Sequence, residues 1–158
     1  MKKLFIFLSL TAAFAMINNR AEAQYKNAAG VRVGDYTGIT FKTFLEEDRA
    51  IDFILSFKSK NAYSAVRFTG LYEVHNPIDF EYGNLRWFYG AGVSVGGMDY
   101  KLIDKNDFLL SADGVLGLDY HFAEAPINLS FDWKPALQFA PEADFKAGQF
   151  GLSIRLTF

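Results

Sequence analysis

Residues Gly148–Phe158 read GQFGLSIRLTF. From Phe150 onward every second residue is large and apolar (Phe150, Leu152, Ile154, Leu156, Phe158), and Gln149, Gly151, Ser153, Arg155 and Thr157 alternate with them. Successive side chains of a β-strand point to opposite faces, so the pattern predicts a strand with one greasy and one polar face.

The same period runs through the chain upstream. In INLSFDWKPALQF (Ile127–Phe139), Ile127, Leu129, Phe131, Trp133, Pro135, Leu137 and Phe139 oppose Asn128, Ser130, Asp132, Lys134, Ala136 and Gln138, which reads as one long strand. DFLLSADGVLGLDYHF sets Phe108, Leu110, Ala112, Leu116, Leu118, Tyr120 and Phe122 against Ser111, Asp113, Gly117, Asp119 and His121, with Leu109 and Val115 as apolar exceptions on the polar side. LRWFYGAGVSVGG, AYSAVRFTGLYEVH, IDFILSF, GITFKTF and AGVRVG repeat the motif, and GDYTG (Gly34–Gly38) reads as a tight hairpin between the first two strands. The connections are LEEDR, KSKN, the longer HNPIDFEYGN, DYKLIDKND, FAEAP and APEADFKAG. No window shows a sustained, capped helical period. The expectation is an all-β, eight-stranded antiparallel up-and-down barrel in which GQFGLSIRLTF closes onto AGVRVG, leaving no free edge.

Composition bounds the rest. The chain has 158 residues, 51% hydrophobic and 17% aromatic, with a formal charge of −2. That is one domain's length, with no basic run or stripe to bind nucleic acid. Lys2, Lys3 and the apolar stretch Leu4–Ala15, followed by Ala21-Glu22-Ala23, have the form of a secretory signal peptide. The apolar run falls short of the ~20 residues a spanning helix needs. The expected organisation is a cleaved leader, residues 1–23, and a barrel domain, residues 24–158. Cysteine is absent, which removes disulfides, thiol catalysis, thiolate metal sites and a lipid-bearing N-terminal cysteine.

Alternation alone does not say which face is inside. The polar face is rich in small residues (Gly90, Gly92, Ser94, Gly96, Gly117, Gly151, Ser153), which suit the narrow interior of an eight-stranded barrel. Its charges nearly balance: Arg32, Lys42, Arg67, Arg86, Lys134 and Arg155 against Asp52, Glu73, Asp113, Asp119 and Asp132. Enclosed charges must pair, whereas on a lipid face each Lys or Arg costs about 2–4 kcal/mol at mid-bilayer. Large rings of the apolar face (Tyr120, Phe122, Phe131, Trp133, Phe139, Phe150, Phe158) fall toward strand ends, as in the aromatic girdles of membrane barrels. The greasy face is therefore expected outside and the eleven charged residues in the lumen.

These features together resemble the small eight-stranded outer-membrane β-barrel proteins of Gram-negative bacteria, of the OmpX and OmpA-barrel types. The resemblance rests on the leader, the strand set and the ending LSIRLTF. The stretches LYEVHNPI, GVLGLDYHF and LSFDWKPAL look like a recurrent signature of one uncharacterised subgroup. It implies residence in the outer membrane as a monomer, surrounded by its lipids and lipopolysaccharide. It also implies handling by periplasmic chaperones and the barrel-assembly machinery, with Phe158 as the assembly signal. Both termini then lie in the periplasm, and so does HNPIDFEYGN, where turns are usually short. Either that turn is long or the strand count near Asp35 is off by one.

Chemistry is sparsely encoded. The two histidines, His75 and His121, each follow a carboxylate, Glu73 and Asp119, and a hydrolase reading would add a serine. Ser64, Ser111, Ser130 and Ser153 carry no nucleophile spacing. The resemblance also puts both histidines near the periplasmic rim, away from outer-leaflet lipid A. No ligand spacing marks a metal site and no motif marks a cofactor. Eight strands leave no aqueous channel once Arg, Lys and Phe88 fill the lumen. The expected function is therefore an integral outer-membrane barrel with a closed, polar, side-chain-filled lumen, a structural or interaction component of the envelope and not an enzyme. The alternatives are a lipid A acyltransferase or deacylase, or a soluble periplasmic lipocalin-like carrier.

Overall fold

The computed structural model describes residues 25–79 and 84–158; residues 1–24, where the expected leader and its cleavage point fall, and 80–83 lie outside the described residues. The alternating stretches form β1 (Asn27–Gly34), β2 (Thr37–Phe44), β3 (Arg49–Ser59), β4 (Tyr63–Ile78), β5 (Asn84–Tyr100), β6 (Lys105–His121), β7 (Ile127–Trp133), β8 (Ala136–Ala140), β9 (Asp144–Lys146) and β10 (Phe150–Thr157). Every pairing is antiparallel, and the order closes on itself, with β1 between β2 and β10 and with β5 pairing β6. The closing seam is the expected one: Val33 faces Leu152 and Val31 faces Ile154.

Ten segments make eight staves because two staves are interrupted. Proline has no N–H to give a ladder, so INLSFDWKPALQF breaks at Lys134-Pro135 and is not one continuous strand. β7 and β8 nevertheless keep a common register against β6, where Leu116 faces Trp133 and Asp113 faces Ala136. The Gly114 N–H still donates to the Pro135 carbonyl at 2.8 Å across the break. β9 continues the last stave by pairing β8 beyond the point where β10 leaves β7.

The connections are shorter than their sequences suggest. HNPIDFEYGN is strand at both of its ends: β4 runs on to Ile78 and β5 starts at Asn84, with Asn76 facing Trp87 and Ile78 facing Leu85. The expected choice between a long turn and a miscount is resolved by strand extension, since paired backbone satisfies its own hydrogen bonds. GDYTG is a true hairpin, turning at Asp35-Tyr36, and APEADFKAG contains β9. One end of the barrel carries Tyr25, Phe158, the turns after β2 and β6, and the end of β4 at Ile78 (the terminal end). The other carries the turns after β1, β3, β5 and β8 (the loop end).

Burial is inverted relative to a soluble domain. Lys42, Asp52, Glu73, Asp119 and Arg155 are buried, whereas Ile39, Val93 and Phe108 are each more than half exposed. All of them lie on the faces assigned by alternation. A small apolar cluster also points inward: Ile54, Leu71, Phe88 and Val115. Phe88 fits because Gly117 has no side chain; a Cβ there would come within 2.6 Å of the Phe88 ring. The wall rings depart from a pure girdle. Phe53 stacks on Phe68 at 6.1 Å in mid-wall, where it lies over Gly70, so side-chain space places aromatics away from the strand ends too.

Candidate functional site

The inward side chains form two ionic groups, with the apolar cluster between them along the strands: Ile54 lies between Asp52 and Ser56, and Leu71 between Glu73 and Thr69.

Toward the terminal end, the Lys42 ammonium lies 2.7 Å from Glu73, 3.6 Å from Asp119 and 3.9 Å from Asp52. Asp52 is shared, because Arg155 Nη2 also donates to it at 2.6 Å, and Thr40 donates to its other oxygen at 2.5 Å. Arg155 spends its remaining donors on Ser130 at 2.6 Å, Thr40 at 3.2 Å and Asn128 at 3.3 Å. Asn128 in turn donates to Asp119 at 2.7 Å, and Tyr25 to the same oxygen at 3.2 Å. Aromatics cap the group. The Phe88 ring lies 4.5 Å from Lys42 Nζ and stacks on His75, whose Nε2 is 2.9 Å from Glu73. Tyr25 packs against Phe44 and His121 at the mouth.

Toward the loop end the ions are paired one to one. Arg32 forks onto Asp132, with Nη2 to Oδ1 at 2.7 Å. To reach across from β1 to β7 it passes over β10 at Gly151, where a Cβ would stand 2.1 Å from the guanidinium carbon. A side chain at that position would push the guanidinium off its present path. Lys134 Nζ lies 3.2 Å from Asp113, which also accepts from Ser111 at 2.8 Å and from Ser94. Arg67 stands apart: it donates to Gln149 at 2.9 Å and to the Tyr36 hydroxyl at 3.3 Å, beneath the Tyr36 ring at 4.3 Å. Burial pushes the Tyr36 phenol above its ordinary range, so it stays neutral beside Arg67.

Of the eleven charged residues picked from the sequence, the barrel buries ten and brings them together in these two groups. Arg86 is the departure: it is only half-buried at the terminal mouth and donates to the Glu47 carbonyl at 3.0 Å. The cause is position, since Arg86 is the third residue of β5, a strand that begins at that end. Phe158 is exposed on the wall and exchanges two backbone hydrogen bonds of 2.9 Å with Asn27. Of the serines weighed as nucleophiles, Ser111 donates to Asp113, Ser130 accepts from Arg155, and Ser153 Oγ has no partner among the described residues. His75 keeps company with Glu73 and two rings. Tyr25 and Tyr36 escaped the sequence reading, whereas Thr40, Asn128 and Gln149 fell on the polar face by alternation without being singled out. Tyr36 was hidden in a turn, and the neutral residues carried no charge to balance.

A ring of eight antiparallel staves, apolar outside and ionic inside, is a closed barrel of the small outer-membrane type. Among solved structures the chain is similar to Neisserial surface protein A, with a TM-score of 0.59 and 12% identity over 84% of this chain and 94% of that one. At that identity the likeness is one of fold. No protein-family model matches the chain, and no curated protein does.

Proposed function

We propose that the chain is an integral outer-membrane protein whose lumen is closed by its own side chains, serving as a structural or interaction component of the envelope without catalysis or conduction. The observation that carries this is the inverted burial. Lys42 and Arg155 are at most 1% exposed while Ile39 and Val93 are above 55%. In water such a wall would be an aggregation surface far larger than the few hundred Å² a monomer tolerates; in lipid it is solvated. Two long cations and Phe88 across a bore this narrow leave little room for a water column. The similarity in fold to a Neisserial surface protein supports the same placement.

The test is membrane assembly. The protein should fractionate with outer membranes and migrate differently in gels before and after boiling. Leu152→Arg, in the wall, should cost about 2–4 kcal/mol of insertion and deplete the unboiled form. Ser153→Ala, in the lumen, removes a hydroxyl without a partner among the described residues and should leave assembly unchanged. Equal assembly of the two variants, or recovery of the protein in the soluble periplasm, contradicts the reading. Step conductance in planar bilayers contradicts the closed lumen, and a changed lipid A acyl pattern in cells lacking the gene contradicts the absence of catalysis.

A further inference from the structure

The cations of the loop half are not equivalent. Arg32 and Lys134 each hold a carboxylate, but Arg67, 2% exposed, has none within 4.0 Å among the described residues. Its acceptors are a neutral carboxamide and a neutral phenol, the second at a long 3.3 Å, and its Nε has no partner among the described residues. A buried guanidinium is ordinarily matched by an anion, because two parallel charge-assisted bonds offset its desolvation. Here the position of that anion is left to neutral groups.

Above Arg67 the loop end opens into a cup of about 710 Å³, inside the range of small-molecule sites. Tyr63 and Tyr100, 6.4 Å apart, supply aromatic wall. The rim lysines are self-neutralised: Lys58 with Asp35 at 2.5 Å, Lys105 with Asp107 at 3.0 Å, and Lys146 with Asp144. The unmatched cation of the cup is thus at its floor, while Glu142 at the rim adds negative charge that disfavours polyanions. Tyr36, which covers the floor, belongs to the Asp35-Tyr36 turn and is free of any ladder.

We propose that this cup binds a small organic carboxylate. Its two oxygens take the Nε and Nη2 donors of Arg67 in fork geometry, displacing the Tyr36 hydroxyl, and its apolar body lies against Tyr63 and Tyr100. Gln149 stays on Nη1. The proposal does not depend on the membrane reading and is testable in micelles.

Benzoate, benzyl alcohol and benzylamine are titrated into the full-length protein in detergent, followed by calorimetry and amide chemical shifts. Benzoate should bind saturably at one site and shift loop-end amides; the alcohol and the amine should not. Arg67→Gln should weaken benzoate at least tenfold while keeping the heat-modifiable form. Gln149→Glu supplies an internal carboxylate to Arg67 at the position of the present 2.9 Å bond. It should also weaken benzoate at least tenfold, and it decides the matter should Arg67→Gln not fold. Absence of saturable benzoate binding, equal binding of benzylamine, or undiminished affinity in the folded variants overturns the proposal.

Discussion

The two halves of the lumen solve one problem differently. Both enclose charge, yet the terminal half binds its ions into a mesh and the loop half into separate pairs. In the mesh, Lys42 serves three carboxylates and Asp52 answers to two cations, so no member has a single partner. In the loop half, Arg32 belongs to Asp132 and Lys134 to Asp113. The balance differs as well. Lys42 and Arg155 face Asp52, Glu73 and Asp119, one carboxylate in excess and beside His75; Arg32, Arg67 and Lys134 face Asp113 and Asp132, one cation in excess. The lumen is neutral as a whole and polarised along its axis. A mesh makes a rigid floor, whereas discrete pairs beneath an open mouth leave one cation for a visitor.

The contrast can be broken by substitution, with stability read from urea titrations in lipid vesicles. Arg155→Met should have the largest effect, about 3–5 kcal/mol, because it strips Asp52 of its close partner and Ser130 and Asn128 of a donor. Arg32→Met should fall at the lower end of that range, since only Asp132 is orphaned. Adding Asp132→Met should then restore stability to within about 1 kcal/mol of the parent, as apolar replacement of a whole buried pair is often neutral. The same double replacement at Arg155 and Asp52 should not recover, because Lys42, Thr40 and Ser130 stay behind; full recovery there would erase the distinction between mesh and pair. Arg67→Met should have the smallest effect, under about 1 kcal/mol, since no carboxylate loses its counterion. A loss as large as that of Arg155→Met would mean that Arg67 is structurally paired after all.

Much of the fold was legible because a strand's period is two and a barrel wall has two sides. A residue's face followed from its parity, even for the apolar exceptions Leu109 and Val115, which are buried in the lumen. Strand ends were not legible. HNPIDFEYGN carries Asn, Pro and Gly, the usual marks of a loop, yet His75–Ile78 and Asn84 are paired, because local propensity yields to a long neighbouring strand. The break at Pro135 was the reverse case, a purely local rule overriding a flawless alternation. At the site, the charged residues were legible by balance. Tyr36, which covers Arg67, was not, since a neutral residue in a turn carries no pattern; Gln149 was placed on the lumen face by alternation, but its pairing with Arg67 was not legible.

By itself the sequence determined that strands would form, which side of each would be greasy, and that the polar side would hold nearly equal numbers of both charges. These are properties of single strands, set by alternation and composition. Only the tertiary structure decided which charge meets which. Arg32 finds Asp132 at a separation of 100 residues, over a glycine on a third strand, and Arg155 finds Asp52 at a separation of 103. Such meetings depend on closure and register, which bring distant strands across one narrow bore. The same closure left Arg67 beneath the open mouth without a carboxylate of its own among the described residues.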